Sequence, residues 1–171
     1  MHVLQRIAVQ ADNADMAFRT VKDTLESELG NDQYASNTWF DWFVAGGGRW
    51  NPNNDPYNDD DQSMTISYKD NPLEFMDAVN ASMSNRIEEF NRYRKQFDEK
   101  HTDINAYLDK YTGNTDYSFE LYDLYMMIEM LQGSWNANSY FYDMHHASTN
   151  TKHMLDNLND SWYIVFVDFH F

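Results

Sequence analysis

The sequence contains no cysteine. Disulfides, thiolate metal centres and thiol catalysis are therefore excluded, and a cytoplasmic setting is expected. Proline is scarce, with three in 171 residues and two of those within 51–62. No apolar run approaches the roughly 18 residues that a membrane-spanning helix needs. The opening Met1-His2-Val3-Leu4-Gln5-Arg6 lacks the apolar stretch of a secretion signal, so neither a membrane partner nor export is expected. Positive charge is the other shortage, with 12 basic residues against 28 acidic ones and a formal net charge of −16. Such a chain repels nucleic-acid phosphate at long range and favours basic partners, although charge of this size also serves solubility.

Aromatic residues are plentiful, at 16% of the chain with 5 Trp, 12 Tyr and 11 Phe. Acidic disordered segments are poor in aromatics, so this chain folds. A domain of this length removes roughly 70% of its unfolded surface from water, and no linker divides the sequence. A single domain over 1–171 is expected.

Val3, Ile7 and Val9 alternate with polar neighbours and predict a strand over 2–10, with Gln5 on the same face. Asp12 or Asn13 then caps a helix running to Leu29, with Ala14, Phe18, Val21 and Leu25 at helical spacing and Gly30 as the stop. Residues 38–45 and 64–68 read as two strands of a long-looped hairpin around the turn-rich segment 51–62. Asn71-Pro72-Leu73-Glu74 is the strongest helix start, for a helix ending near Lys100. Met76, Val79, Met83, Ile87, Phe90 and Phe97 form its expected core stripe. Arg86, Arg92, Arg94, Lys95 and Lys100, interleaved with Glu88, Glu89, Asp98 and Glu99, form a salt-bridged solvated face.

Helices are also expected over 103–111, ending at Thr112-Gly113-Asn114, and from Ser118 to Gln132 with Gly133 as the stop. Residues 134–147 are open between loop and strand, and Ser148 or Thr149 can cap a short helix through Met154, Leu155 and Leu158. The final run 161–171 is apolar on both faces and predicts an inner strand. Together these elements predict an α+β fold, a single sheet of about four strands with helices packed on it, ferredoxin-like or a related two-layer sandwich.

Three constellations could carry function. Gly46-Gly47-Gly48-Arg49-Trp50 follows an apolar strand, and its glycine amides and arginine could hold a nucleotide-like anion with Trp42 or Trp50 stacked on the base. The alternative is a tight glycine turn in which Arg49 pairs with Asp41 and Trp50 closes the core. The spacing matches neither a P-loop nor a dinucleotide fingerprint. Asp55, Asp59, Asp60 and Asp61 could bind calcium or form an acidic interaction surface, and the order of an EF-hand is missing. His145, His146, His153 and His170 fall in the last 27 residues, and Asp143, His145, Asp168 and His170 could form a histidine–carboxylate metal site. No Gly-x-Ser-x-Gly elbow or Ser, His and acid trio is present. No catalytic residue and no cofactor is assigned, and the reading leans away from an enzyme.

Phe40-Asp41-Trp42-Phe43 followed by Gly47-Gly48-Arg49-Trp50, with Val167-Asp168-Phe169-His170 near the end, resembles a family of small uncharacterised proteins encoded by bacteriophages and some bacteria. The match covers a small part of the chain, which carries an additional glycine, Gly46, and the acidic insert 51–62. The resemblance implies a phage origin. Small acidic phage proteins often inhibit host machinery, including restriction and CRISPR nucleases, by imitating the phosphate track of nucleic acid. The expected partner is a basic host or defence protein. A nucleotide-like anion binder and a metal-dependent hydrolase are the alternatives.

Overall fold

The two ends of the chain lie side by side. Strand β1 (His2–Gln10) and strand β5 (Trp162–His170) run antiparallel over their whole length, from His2 opposite His170 to Gln10 opposite Trp162. This computed structural model describes residues 1–29, 39–53, 55–58, 60–100 and 122–171. The expected helix stop at Gly30, the strand start at Thr38, Asp59, the helix over 103–111 with its stop at Thr112-Gly113-Asn114, and the helix start at Ser118 lie outside the described residues.

β5 is apolar on both faces because it is central. β1 covers one edge. The other edge is shared by β2 (Trp42–Ala45), with Trp42 opposite His170, and β3 (Thr65–Ser67), with Thr65 opposite Val165. β2 and β3 are therefore collinear pieces of one interrupted strand, where the sequence suggested a hairpin. Each needs a hydrogen-bonding edge, and each takes half of the edge that β5 offers. A short β4 (Phe141–Asp143), within the stretch left open between loop and strand, pairs parallel with the outer edge of β1. The result is a mixed sheet of five strands in an α+β fold, with helices packed on it.

The helices divide between the two faces, so the molecule has three layers where two were expected. Helix α1 (Ala14–Leu29) starts where Asn13 Oδ1 accepts the Met16 amide at 2.9 Å. Its Phe18, Val21 and Leu25 are buried against Val3, Ile7, Val165, Val167 and Phe169. Burial of side chains of this size stabilises by about 2 kcal/mol each.

The opposite face, made by Ala8, Ile66, Ile164 and Phe166, is covered by the first half of α2 (Pro72–Lys100) through Phe75, Ala78 and Val79. Past the sheet edge, α2 packs Tyr93 and Phe97 against Met127 and Met130 of α3 (Tyr122–Gln132). The last short helix, α4 (Lys152–Asp156), starts later than expected. Ser148 is instead bridged to Asp143, and the Thr149 hydroxyl donates to the Gly133 carbonyl.

The inward stripe of α2 runs Phe75, Val79, Ser82, Tyr93 and Phe97, so Met83 and Ile87, expected in the core, are largely exposed. Its basic residues behave mostly as expected: Arg92 pairs with Glu89, Arg94 with Asp98 and Lys95 with Glu99. Lys100 reaches across to Asp123 on α3. No described helix is long and apolar enough to cross a membrane.

Candidate functional site

The motif of greatest interest sits where the edge strand is interrupted. After Ala45 the chain leaves the sheet, and the amides of Gly46 and Gly47 both donate to the Phe166 carbonyl at 2.9 Å, the two-onto-one pattern of a β-bulge. Residues 48–64 then make an excursion before Thr65 rejoins the same edge. Asn51, buried at its centre, ties the excursion together. Its Nδ2 lies 3.1 Å from the Gly46 carbonyl and 2.9 Å from both Asp61 Oδ2 and Ser63 Oγ, three acceptors that share its two hydrogens.

The glycines have a packing reason. Gly46 has φ +85° and lies so close to the Asp61 carbonyl that a Cβ would stand 2.0 Å from its oxygen. Gly48 has φ +49° and lies against Asp168. The Gly46 and Gly47 amides, which an anion cradle would need, are used inside the sheet. The Arg49 amide points to Asp168 Oδ2 at 3.3 Å.

Asp168, 1% exposed, is the hub of this region. His2 Nδ1 donates to its Oδ1 at 2.9 Å, and Arg49 Nε lies 3.6 Å from its Oδ2. His2 Nε2 in turn accepts from Arg49 Nη2 at 2.5 Å. Arg49 thus pairs with Asp168, not with Asp41 as the turn reading expected. Asp41 instead accepts from His170 Nδ1 at 2.6 Å. The reason is register: Trp42 lies opposite His170 on β5, and the bulge folds Arg49 back over Asp168. His170 stacks on Trp42 at 5.0 Å and 13°, and His2 meets the edge of both rings. Trp50 does not close the core. It is 39% exposed, with the Arg49 guanidinium 6.0 Å from its ring.

The four residues expected as metal ligands do not meet. Asp143 stands opposite Ala8 on β1 and Asp168 opposite Leu4, which separates them by about 13 Å along the strand. Buried Asp143 accepts the backbone amides of His145 and His146 with Oδ1, and His146 Nδ1 with Oδ2. Among the described residues, no group of three or more His, Asp or Glu side chains is placed to hold a metal ion.

The acidic insert is solvated over most of its described residues, as expected, and is also tied to α1. Lys22 of α1 donates to Asp60 Oδ1 at 2.8 Å, and Gln62 Nε2 donates to Asp15 Oδ1 at 2.8 Å. Asp61 Oδ1 accepts the Ser63 amide at 2.8 Å, and that bond holds the carboxyl below its ordinary value. Asp23 and Glu26 of α1 thereby join Asp60 on one exposed acidic surface, and Asp12 and Asp55 are exposed as well. The two cations within it, Arg19 and Lys22, are paired with Asp15 and Asp60.

The residues missed in the sequence are His2, Lys22 and Gln62. Their partners lie 166, 38 and 47 residues away, and only the pairing of β1 with β5 and the docking of the insert on α1 bring them together. No family model, curated protein or solved structure matches the chain.

Proposed function

We propose that this protein is a non-catalytic interaction protein whose acidic face, formed by α1 and the 51–62 insert, docks on a basic groove of a nucleic-acid-binding partner. The observation that carries this reading is the Lys22–Asp60 contact at 2.8 Å, which merges two acidic segments into one surface. Arg19, Lys22, Arg92, Arg94, Lys95, Lys100 and Lys152 are each matched to a carboxylate within the chain. The acidic excess therefore faces outward, where it steers association with positive surfaces. That the partner belongs to a bacterial host or its defence system follows from the resemblance to phage proteins.

The test is affinity capture from bacterial lysate at low salt. Wild-type protein is compared with a variant carrying Asp12→Asn, Asp23→Asn, Glu26→Gln, Asp55→Asn and Asp60→Asn. Wild-type protein should retain nucleic-acid-binding proteins that salt and added DNA release, and the neutralised variant should lose them. Equal retention by both would overturn the reading.

A second reading rests on Trp50, exposed beside the Arg49 guanidinium and the His2 ring, with the Trp42 and His170 rings next to His2 in turn. These groups suit an aromatic anion such as a nucleotide. Nucleotides should then raise the melting temperature of wild-type protein and not of Trp50→Ala. The absence of any shift in wild-type protein would remove this reading.

A further inference from the structure

Arg86 differs from the other cations of α2. It lies on the inward stripe of the helix, half-buried, and it has no carboxylate partner among the described residues of a chain with 28 acidic side chains. Its Nη1 donates to the Thr149 carbonyl at 3.1 Å and to the Thr149 hydroxyl at 3.2 Å, and its Nη2 donates to the Met130 carbonyl. These acceptors are neutral. They satisfy three of the five guanidinium donors and tie α2 to the end of α3, but they leave the charge uncompensated. Burial holds the guanidinium below its ordinary value, as expected of a cation with no nearby anion. The Nε–H and the second Nη2 hydrogen have no partner among the described residues, and these two atoms form the edge of arginine that a carboxylate spans with two hydrogen bonds.

This cation lines a cleft of about 770 Å³ between α2, the end of α3, β4 and the turn at 147–151. A volume of that order suits a small organic molecule. Its apolar part is made by Met83, Ile87 and Phe90 from α2, Leu131 from α3 and Phe141 from β4, and the turn adds the polar Ser148, Thr149, Asn150 and Thr151. Ile87 and Leu131 are 59% and 74% exposed, a surplus of apolar surface at the mouth that the packing of α2 on the sheet leaves uncovered. A cleft that sets an apolar patch and polar side chains beside one uncompensated cation is complementary to a molecule with an apolar body and one anionic end.

We propose that this cleft binds a small apolar carboxylate, its carboxylate on the Nε and Nη2 edge of Arg86 and its alkyl or aryl body against Met83, Ile87, Phe90 and Leu131. The site is independent of the acidic face and of the Asp168 network.

Sodium octanoate and octan-1-ol, which share chain length and differ in charge, are the probes. Each is titrated below its aggregation limit into the full chain, with the methyl resonance of Met83 as readout. Octanoate should bind at least tenfold tighter than octanol. Arg86→Gln, which removes the charge and keeps a polar side chain, should reduce that preference to within about twofold. Ile87→Glu and Leu131→Glu alter exposed positions that folding does not need, and each should weaken octanoate binding at least fivefold. Equal affinity for the two probes, the lack of a saturable Met83 shift with octanoate, or unchanged octanoate binding in Ile87→Glu would each overturn the proposal. Should Arg86→Gln fail to fold, the octanoate-to-octanol ratio of wild-type protein and the Ile87→Glu result decide it.

Discussion

Gly48 and Asp168 occupy one space: a Cβ on Gly48 would stand 2.7 Å from both the Cβ and Oδ2 of Asp168. The glycine lets the buried carboxylate reach the Arg49 amide at 3.3 Å while still accepting from His2. Gly48→Ala should therefore cost about 3 kcal/mol, from left-handed backbone strain plus overpacking. Gly133→Ala is the control. It has φ +74°, but its nearest neighbour, Thr149 Oγ1, would be 3.4 Å away, and it should cost about 1 kcal/mol. Urea denaturation of the two variants measures the difference, and equal losses would show that Asp168 does not set the requirement for glycine.

Asp61 links pH to the order of the acidic insert. Its carboxyl is held below the ordinary value chiefly by the Ser63 amide. A carboxylate depressed in the folded state contributes stability that is complete above its unfolded value, near pH ~4, and is lost as pH falls through the folded value. Wild-type protein should exceed Asp61→Asn in stability at neutral pH, and the gap should close below pH ~4. Denaturation midpoints recorded across that range test the sign. A gap that widens on acidification would contradict it.

Gln5 is fully buried in the middle of β1. Its Oε1 accepts from Trp135 Nε1 at 2.7 Å, and its Nε2 donates to the Asn136 carbonyl at 2.7 Å. Gln5→Ala leaves both groups unpaired and should cost about 3 kcal/mol. Because Trp135 stacks on Tyr142 at 4.2 Å, its fluorescence should change with the loss of the bond. A variant as stable as wild-type protein would mean that the 134–140 loop is held by packing alone.

Lys22→Ala should barely alter global stability, by less than about 1 kcal/mol, because Asp60 is highly exposed. The insert should nonetheless loosen on α1. Limited proteolysis within 51–62 should accelerate severalfold at unchanged melting temperature. A cleavage rate equal to that of wild-type protein would show that Gln62 and Asn51 suffice to dock the segment.

Several features of the fold were legible in order along the chain. Alternation of Val3, Ile7 and Val9 marked β1, and apolarity on both faces marked 161–171 as an inner strand. The Asn71-Pro72 start placed α2 to the residue. These signals are local: hydrogen-bond period and capping chemistry depend on near neighbours. Where β2 and β3 sit was not legible, because two short strands carry no mark of which edge they will use, and a shared partner looks like a hairpin until β5 is placed between β1 and both of them.

The sequence by itself determined that the chain is strongly acidic and of α+β class, built from identifiable strands and helices, with an unusual Gly46–Trp50 segment. Only the tertiary structure decided what that segment does. It set Arg49 against Asp168 instead of Asp41, joined His2 to the other end of the chain, turned Arg86 from a solvated face into a cleft, and kept Asp143 away from Asp168. The physical reason is that these relations depend on strand order and register. Both emerge from how the whole sheet buries its two apolar faces, a property that no stretch of local sequence contains.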